Sequence, residues 1–269
     1  MTYRLLAVDI DGTLVGDDLS ISDATQEALR SCAEQGMVVT LATGRMFQSA
    51  LPYAQKLGLT APLITYNGAL IKDTGLGTIY HHRTIPLKLA QKVVQVVKEL
   101  GLKLHTYVDD LYYTDADDEW TRIYEKTAGV KAHIVGDLET FLDREPTKFI
   151  ISAIPAKLDA MQPLIAAKLA ADLYLARSRP FYLELIHPAV SKLEGLKVLG
   201  ARLKIRLEEM AVIGDSYNDI EMLQAAGLGI AMGNAPEPVQ RAADVVTNRV
   251  EEEGLAFAVH RFILSSIRR

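Results

Sequence analysis

The sequence predicts an α/β fold, a Rossmann-like parallel-sheet core with an inserted α+β domain. Three observations carry that expectation. Short apolar runs alternate with helical patterns as far as Gly68, the alternation breaks near Pro86, and it returns from about Pro188. A repeated β-α-β order calls for parallel strands with helices on both faces. The length of 269 residues suits one large domain or two ordinary ones.

The elements follow in order. Leu5-Leu6-Ala7-Val8 reads as a buried strand running into Asp9-Ile10-Asp11-Gly12-Thr13. A helix is expected over 23–35, with Ser22 as N-cap, Ala28, Leu29 and Cys32 as an apolar stripe and Gly36 as its stop. A strand at 38–42, a helix at 47–57 and a third parallel strand at 62–66 complete the first half. Pro86 suits the first turn of the next helix, whose face is Ala90, Val93, Val94, Val97 and Leu100. Strands are expected at 103–108, 111–114, 148–154, 173–176 and 181–186, with helices at 119–126, 138–142 and 158–169. These longer, alternating segments imply antiparallel pairing. A helix at 192–203, strands at 210–213, 228–231 and 245–247 and a last helix near Glu251 restore the first rhythm. The boundaries are thus 1–82 with 188–269 for the core and 83–187 for the insertion.

Composition narrows the function. About half the residues are apolar (49%), enough for a substantial core, and the net charge of −5 leaves no basic field to gather nucleic acid. Arg268-Arg269 reads as a solvated tail. Cys32 is the only cysteine and is expected as a buried thiol. No apolar run approaches the roughly 20 residues that span a bilayer, and no signal-peptide layout precedes the first strand. A cytoplasmic protein without membrane or nucleic-acid partners is expected.

Four clusters stand at predicted strand or helix ends: Asp9 with Asp11, Thr43-Gly44-Arg45, Ser191-Lys192, and Gly214-Asp215-Ser216-Tyr217-Asn218-Asp219. In an open parallel sheet, ligands bind beyond the carboxyl ends of the strands, so all four are candidates for one site. Asp9 and Asp11 share a strand face, their Cα atoms about 6.6 Å apart at two residues' rise. Gly12 permits a tight turn whose N–H groups can face an anion. Carboxylates from Asp9, Asp11, Asp215 and Asp219 would repel one another in a cleft, a conflict that a hard divalent cation removes. Lys192 brings a positive charge and Thr43 a hydroxyl. Together they describe a receptacle for a dianionic phosphoryl group.

These four clusters resemble, in order and along the whole chain, the motifs of the haloacid dehalogenase-like hydrolase superfamily. The insertion is similar to the large α/β cap of its Cof-type subfamily (subclass IIB), as are Tyr66-Asn67-Gly68-Ala69 and Met232-Gly233-Asn234-Ala235. The resemblance implies a Mg²⁺-dependent phosphatase acting on small phosphate esters, sugar phosphates foremost. It implies Asp9 as nucleophile and Asp11 as general acid, then base. Thr43, Gly44 and Asn218 would hold phosphoryl oxygens, with Gly12, Arg45, Asn67 and Gly68 also placed toward substrate. Lys192 would neutralise charge. The cation would take Asp9, Asp11 through its backbone carbonyl, and Asp215, while Asp219 would bind it through water or orient Lys192. Alternatives are a phosphomutase and a catalytically silent binding protein. One departure concerns the third motif: its usual glycine falls later, in Lys192-Leu193-Glu194-Gly195, which bears on how that helix begins.

Other features carry less. His81-His82 point to opposite strand faces and are expected at a sheet edge. His187 is a candidate substrate contact near a hinge, against a packing or turn role. Asp115 to Glu119 are expected as a solvated helix start. Tyr107, Tyr112, Tyr113, Trp120 and Tyr124 are expected mainly as core. Gly227, Gly229 and Gly233 do not match a dinucleotide loop.

Overall fold

The computed structural model describes residues 3–265; the Arg268-Arg269 pair lies outside them. The chain forms two compact units, Met1–His81 with Ser191–Arg269, and His82–Val190. The first stretch carries β1 (Leu5–Val8), α1 (Asp23–Glu34), β2 (Val38–Leu41), α2 (Phe47–Lys56), β3 (Leu63–Thr65), β4 (Leu70–Lys72) and β5 (Ile79–His82). Next come α3 (Leu87–Glu99), β6 (Lys103–Val108), β7 (Leu111–Thr114), α4 (Glu119–Ala128), β8 (His133–Ile134) and α5 (Leu138–Phe141). These are followed by β9 (Lys148–Ser152), α6 (Pro155–Leu169), β10 (Tyr174–Arg179) and β11 (Tyr182–Ile186). The return adds α7 (Lys192–Leu203), β12 (Met210–Gly214), α8 (Ile220–Ala225), β13 (Leu228–Ala231), α9 (Glu237–Ala242), β14 (Val245–Val246) and α10 (Gly254–Ala258). No helix among the described residues is long and apolar enough to cross a membrane.

The first unit is built on a parallel sheet in the order β14-β13-β12-β1-β2. β1 lies between partners from both ends of the chain, Leu5 opposite Met210 on one side and Val38 on the other. Its four side chains are fully buried, so the strand reads as a continuous apolar run, as a sheet covered on both faces demands. Leu5 and Ala7 pack with Leu196 and Leu199 of α7 and Met222 and Leu223 of α8. Leu6 and Val8 face the other side by the strand's two-residue period, and α1 packs on both β2 and α10. Ser22 caps α1 by accepting from Thr25 N–H, and Cys32 is buried on its inner face, its thiol pushed up to about 12 by burial.

The third strand does run parallel to the end of β2, through the Ala42–Ile64 bridge and the Thr43 N–H donated to Ile64 O at 2.9 Å. Its other edge pairs antiparallel with β4, in a small sheet ordered β3-β4-β5 that the sequence did not suggest. The cause is the turn Tyr66-Asn67-Gly68, where three successive residues take positive φ (52°, 57° and 102°) and fold the chain back. His81 and His82 lie on β5, at the edge of that sheet. Pro86 is the residue before α3 rather than in its first turn, and α6 begins earlier than expected, at Pro155. The last helix starts at Gly254, after a 3₁₀ turn over Val250–Glu252.

The second unit is a six-stranded sheet ordered β10-β11-β9-β6-β7-β8, antiparallel except where β7 meets β8. Leu104, Val108, Phe149, Ile151, Leu183 and Leu185 pack on one face with α3, α5 and α6. The opposite register holds polar and aromatic groups. His105 stacks on Tyr124, and Tyr107 on Tyr112. Buried Lys148 pairs with Glu184 at 3.1 Å. Asp115 and Asp118 are not merely solvated, because both hold the buried ammonium of Lys103. A cation at that depth requires such partners, and Asp118 also caps α4.

Candidate active site

The site lies in the first unit, at the carboxyl ends of β1, β2 and β12. Asp9 continues β1 by donating its N–H to Ile213 O at 3.0 Å. The chain then turns, Gly12 N–H donating to Val15 O at 2.9 Å. Gly12 has φ +78°, and a Cβ there would lie 2.2 Å from Asp215 Oδ2. Only glycine lets the turn pass so close to that carboxylate.

Lys192 enters from the first residue of α7, whose N-cap Ser191 accepts from Glu194 N–H. Its ammonium is fully buried and lies 2.7 Å from Asp9 Oδ1 and 2.7 Å from Asp219 Oδ1. Asp219 Oδ2 accepts from the N–H groups of Asp215 and Ser216, at 3.0 and 2.9 Å. Both oxygens of this buried carboxylate thus have partners, an arrangement that orients Lys192.

The altered spacing of the third motif leaves the helix start regular. Gly195 supplies the close approach: a Cβ there would lie 2.5 Å from Ile64 Cγ2 and 3.0 Å from Gly68 Cα. Gly68 in turn abuts the Ser191 carbonyl. The β3–β4 turn and the start of α7 are therefore pressed together just where Lys192 begins. Glu194 is exposed and pairs with Lys197, 2.6 Å away.

One oxygen from each of Asp9, Asp215 and Asp219 falls within 4.8 Å of the others. Burial pushes the Asp9 carboxyl well above the usual range; Lys192 opposes this, and Asp219 and Asp215 add to it. Burial, then Asp219, raise Asp215 to about 6 against the Thr13 hydrogen bond. The Lys192 ammonium holds its proton more tightly than usual: burial opposes the charge, and Asp219 and Asp9 more than offset it. Three acids around one ammonium leave excess negative charge. Their hard oxygen donors, at this spacing, fit a divalent cation such as Mg²⁺.

Asp11 stands apart from that group. Arg45 grips its carboxylate, Nε to Oδ2 at 2.8 Å and Nη2 to Oδ1 at 2.6 Å. That pair ties the second cluster to the first, and within the second Thr43 is buried and its hydroxyl accepts from Arg45 N–H at 3.1 Å. Asn218 donates to Asn67 Oδ1 at 2.8 Å, and Asn67 N–H donates to Thr43 O at 2.9 Å. Gly44 packs beside the Asn67 amide.

A family model of haloacid dehalogenase-like hydrolases matches residues 6–259. The chain belongs to this family. This hydrolase is 33% identical to the phosphatase YwpJ of Bacillus subtilis, over 94% of this chain and 97% of that protein. It is 30% identical to the 5-amino-6-(5-phospho-D-ribitylamino)uracil phosphatase YitU of the same organism, over 94% of each. A crystal structure of a haloacid dehalogenase-like hydrolase from Bacteroides thetaiotaomicron superposes with a TM-score of 0.90 at 29% identity, covering 97% of this chain and 99% of that one. The family resemblance carried by the four motifs is borne out.

Two side chains of this hydrolase escaped assignment in the sequence. Thr13 donates to Asp215 Oδ1 at 3.0 Å, and Asn234 donates to Gly12 O at 2.9 Å. Thr13 stands inside the first motif, and Asn234 inside a tetrapeptide already marked by the resemblance, so both signals were present without a stated role. His187 lies in the second unit, where its Nδ1 accepts from Ala189 N–H at 3.1 Å. Burial, then Arg83, lower its pKa.

A further trio in the second unit imitates a nucleophile and its base. Ser152 Oγ and Tyr112 Oη each lie 2.7 Å from a ring nitrogen of His105. All three are buried, and burial, then Lys103, push the imidazole down to about 3. Buried and hydrogen-bonded to one another, the three read as a structural network.

Proposed function

We propose that the protein is a Mg²⁺-dependent phosphatase of small phosphomonoesters, sugar and sugar-alcohol phosphates foremost, working through an aspartyl-phosphate on Asp9. The observation that carries the reading is the Lys192 ammonium held between buried Asp9 and Asp219, with Asp215 alongside. The names of the curated relatives support the reaction class, and the phosphoribityl ester in the name of one supports a sugar-alcohol leaving group.

Lys192 occupies Asp9 Oδ1, which leaves Oδ2 to attack phosphorus. The new Asp9–O–P bond forms as the ester P–O bond breaks, and Asp11, protonated once it leaves the Arg45 fork, gives its proton to the departing alkoxide. Asp11 then takes a proton from water, whose oxygen attacks phosphorus and restores Asp9 with release of inorganic phosphate. Lys192, Thr43 and the Gly44 amide stabilise the phosphoryl oxygens. Asp9, Asp215 and the Asp11 carbonyl would hold Mg²⁺, with Asp219 through water; when bound, the ion supplies positive charge to the acidic group and the phosphoryl oxygens.

A phosphate-release screen over sugar phosphates, sugar-alcohol phosphates and nucleotides, with Mg²⁺ or with EDTA, tests the reading. Asp9→Asn should abolish turnover while leaving the folded state intact. Metal-dependent release that persists in that variant excludes the covalent route.

A further inference from the structure

Three separate parts of the chain meet at the side chain of Asn234, in the turn that leaves β13. Its Oδ1 accepts from Val250 N–H at 3.0 Å. Its Nδ2 donates to Gly12 O at 2.9 Å and faces Asp215 Oδ2 at 3.5 Å. The Val250 contact settles which way the amide points, since only an acceptor can meet an N–H. The donor end is therefore committed to the Gly12 carbonyl and the Asp215 carboxylate.

The turn is itself braced. Gln240 of α9 donates to Ala235 O at 2.9 Å and Gly233 O at 3.3 Å, and Gly233 N–H donates to Asn248 O at 2.9 Å. On the other side of the carboxylate, Thr13 donates to Asp215 Oδ1. Asp215 is thus flanked at each oxygen by an uncharged donor. The Gly12 peptide, next to the Asp11 carbonyl, is held by the same amide.

We infer that Asn234 is a positioning residue that sets the Asp215 carboxylate and the Asp11–Gly12 turn against each other, and so raises the affinity of the acidic group for a divalent cation. The inference rests on the metal-dependent phosphatase reading. Hydrogen-bond partners that orient metal-binding carboxylates characteristically govern affinity by about 10–100-fold.

The test is direct Mn²⁺ binding to the full chain without substrate, followed by the electron paramagnetic resonance signal of free Mn²⁺. Wild type, Asn234→Ala and Asn234→Ser are compared, each with its thermal midpoint in EDTA. The expected result is an Asn234→Ala dissociation constant raised by about 10-fold or more, with the Mn²⁺ concentration for half-maximal turnover rising by the same factor. Asn234→Ser carries the test if the alanine variant does not fold. A lowered midpoint with Mn²⁺ affinity within about two-fold of wild type, well short of that range, shows a merely structural role and overturns the inference. A wild-type protein that takes up no Mn²⁺ overturns the metal-dependent reading itself, a distinguishable failure.

Discussion

Arg45 holds Asp11 by both oxygens, at 2.8 and 2.6 Å, and so sets the direction of a carboxylate that stands clear of the buried acidic group. Ser49 and Tyr53 of α2 steady the same guanidinium, the Tyr53 ring centroid lying 5.1 Å from Cζ. The consequence is geometric, because a bidentate fork fixes a plane as well as a distance.

Arg45→Lys keeps the charge and loses the fork. We expect kcat for sugar phosphates to fall by about 10–100-fold, the scale on which small misplacements of a reacting group act. Stability should fall by about 1–2 kcal/mol, since the Arg45 side chain is only 14% exposed although Asp11 is 45% exposed. Steady-state kinetics beside urea unfolding check both; unchanged kcat would deny Arg45 any part in directing Asp11.

Lys192→Met strands Asp9 and Asp219 as buried carboxylates without their ammonium. Breaking a buried pair in this way costs about 3–5 kcal/mol, and turnover should vanish. Adding Asp219→Asn should recover part of the stability and none of the activity. Chemical denaturation in EDTA and phosphate release measure the two effects separately.

Asp215 gives a pH signature. Its carboxyl is raised to about 6 in the folded, cation-free protein, by burial and then by Asp219, against roughly 3.9 when unfolded. The folded state then binds more protons than the unfolded one between these values, so this group's contribution to stability falls as pH rises from about 4 to 6. The loss is of order 3 kcal/mol at neutral pH. Asp215→Asn should therefore gain stability relative to wild type over that window in EDTA, and Mg²⁺ should reverse the ranking. Urea midpoints at pH 4.5 and 7 decide it; a flat difference in EDTA would contradict the assigned shift.

Gly68→Ala brings a Cβ to 2.2 Å from the Ser191 carbonyl at φ +102°. The strain should destabilise by more than about 1 kcal/mol and displace the start of α7, lowering kcat with Lys192 chemically intact. An alanine variant with wild-type stability and kcat would show that the contact is slack.

Much of this was legible because the core repeats simple signals. Leu5–Val8 announced a central strand by its unbroken apolar run, and Ser22 and Gly36 marked the ends of α1. Asp9, Lys192 and Asp219 were readable as partners only through the motif order, since no local pattern says that residues 9 and 192 touch. The reversal after β3 was missed because positive φ at Tyr66 is imposed by tertiary contacts rather than by residue preference. Lys103 was legible only as the first residue of an expected strand, and the fold alone shows Asp115 and Asp118 closing on its ammonium. Asn234 was visible as a letter but not as a brace, because its partners, Gly12 and Val250, belong to distant stretches of sequence.

The pairing of β1 with β12 has a consequence for how the molecule is made. A ribosome delivers Leu5 long before Met210, and the whole of His82–Val190 emerges in between. Through that interval the first strand has β2 on one edge and nothing yet synthesised to cover the other, an exposed template of the sort that invites aggregation. The nascent polypeptide must shelter that edge, or leave it unformed, until its last third arrives.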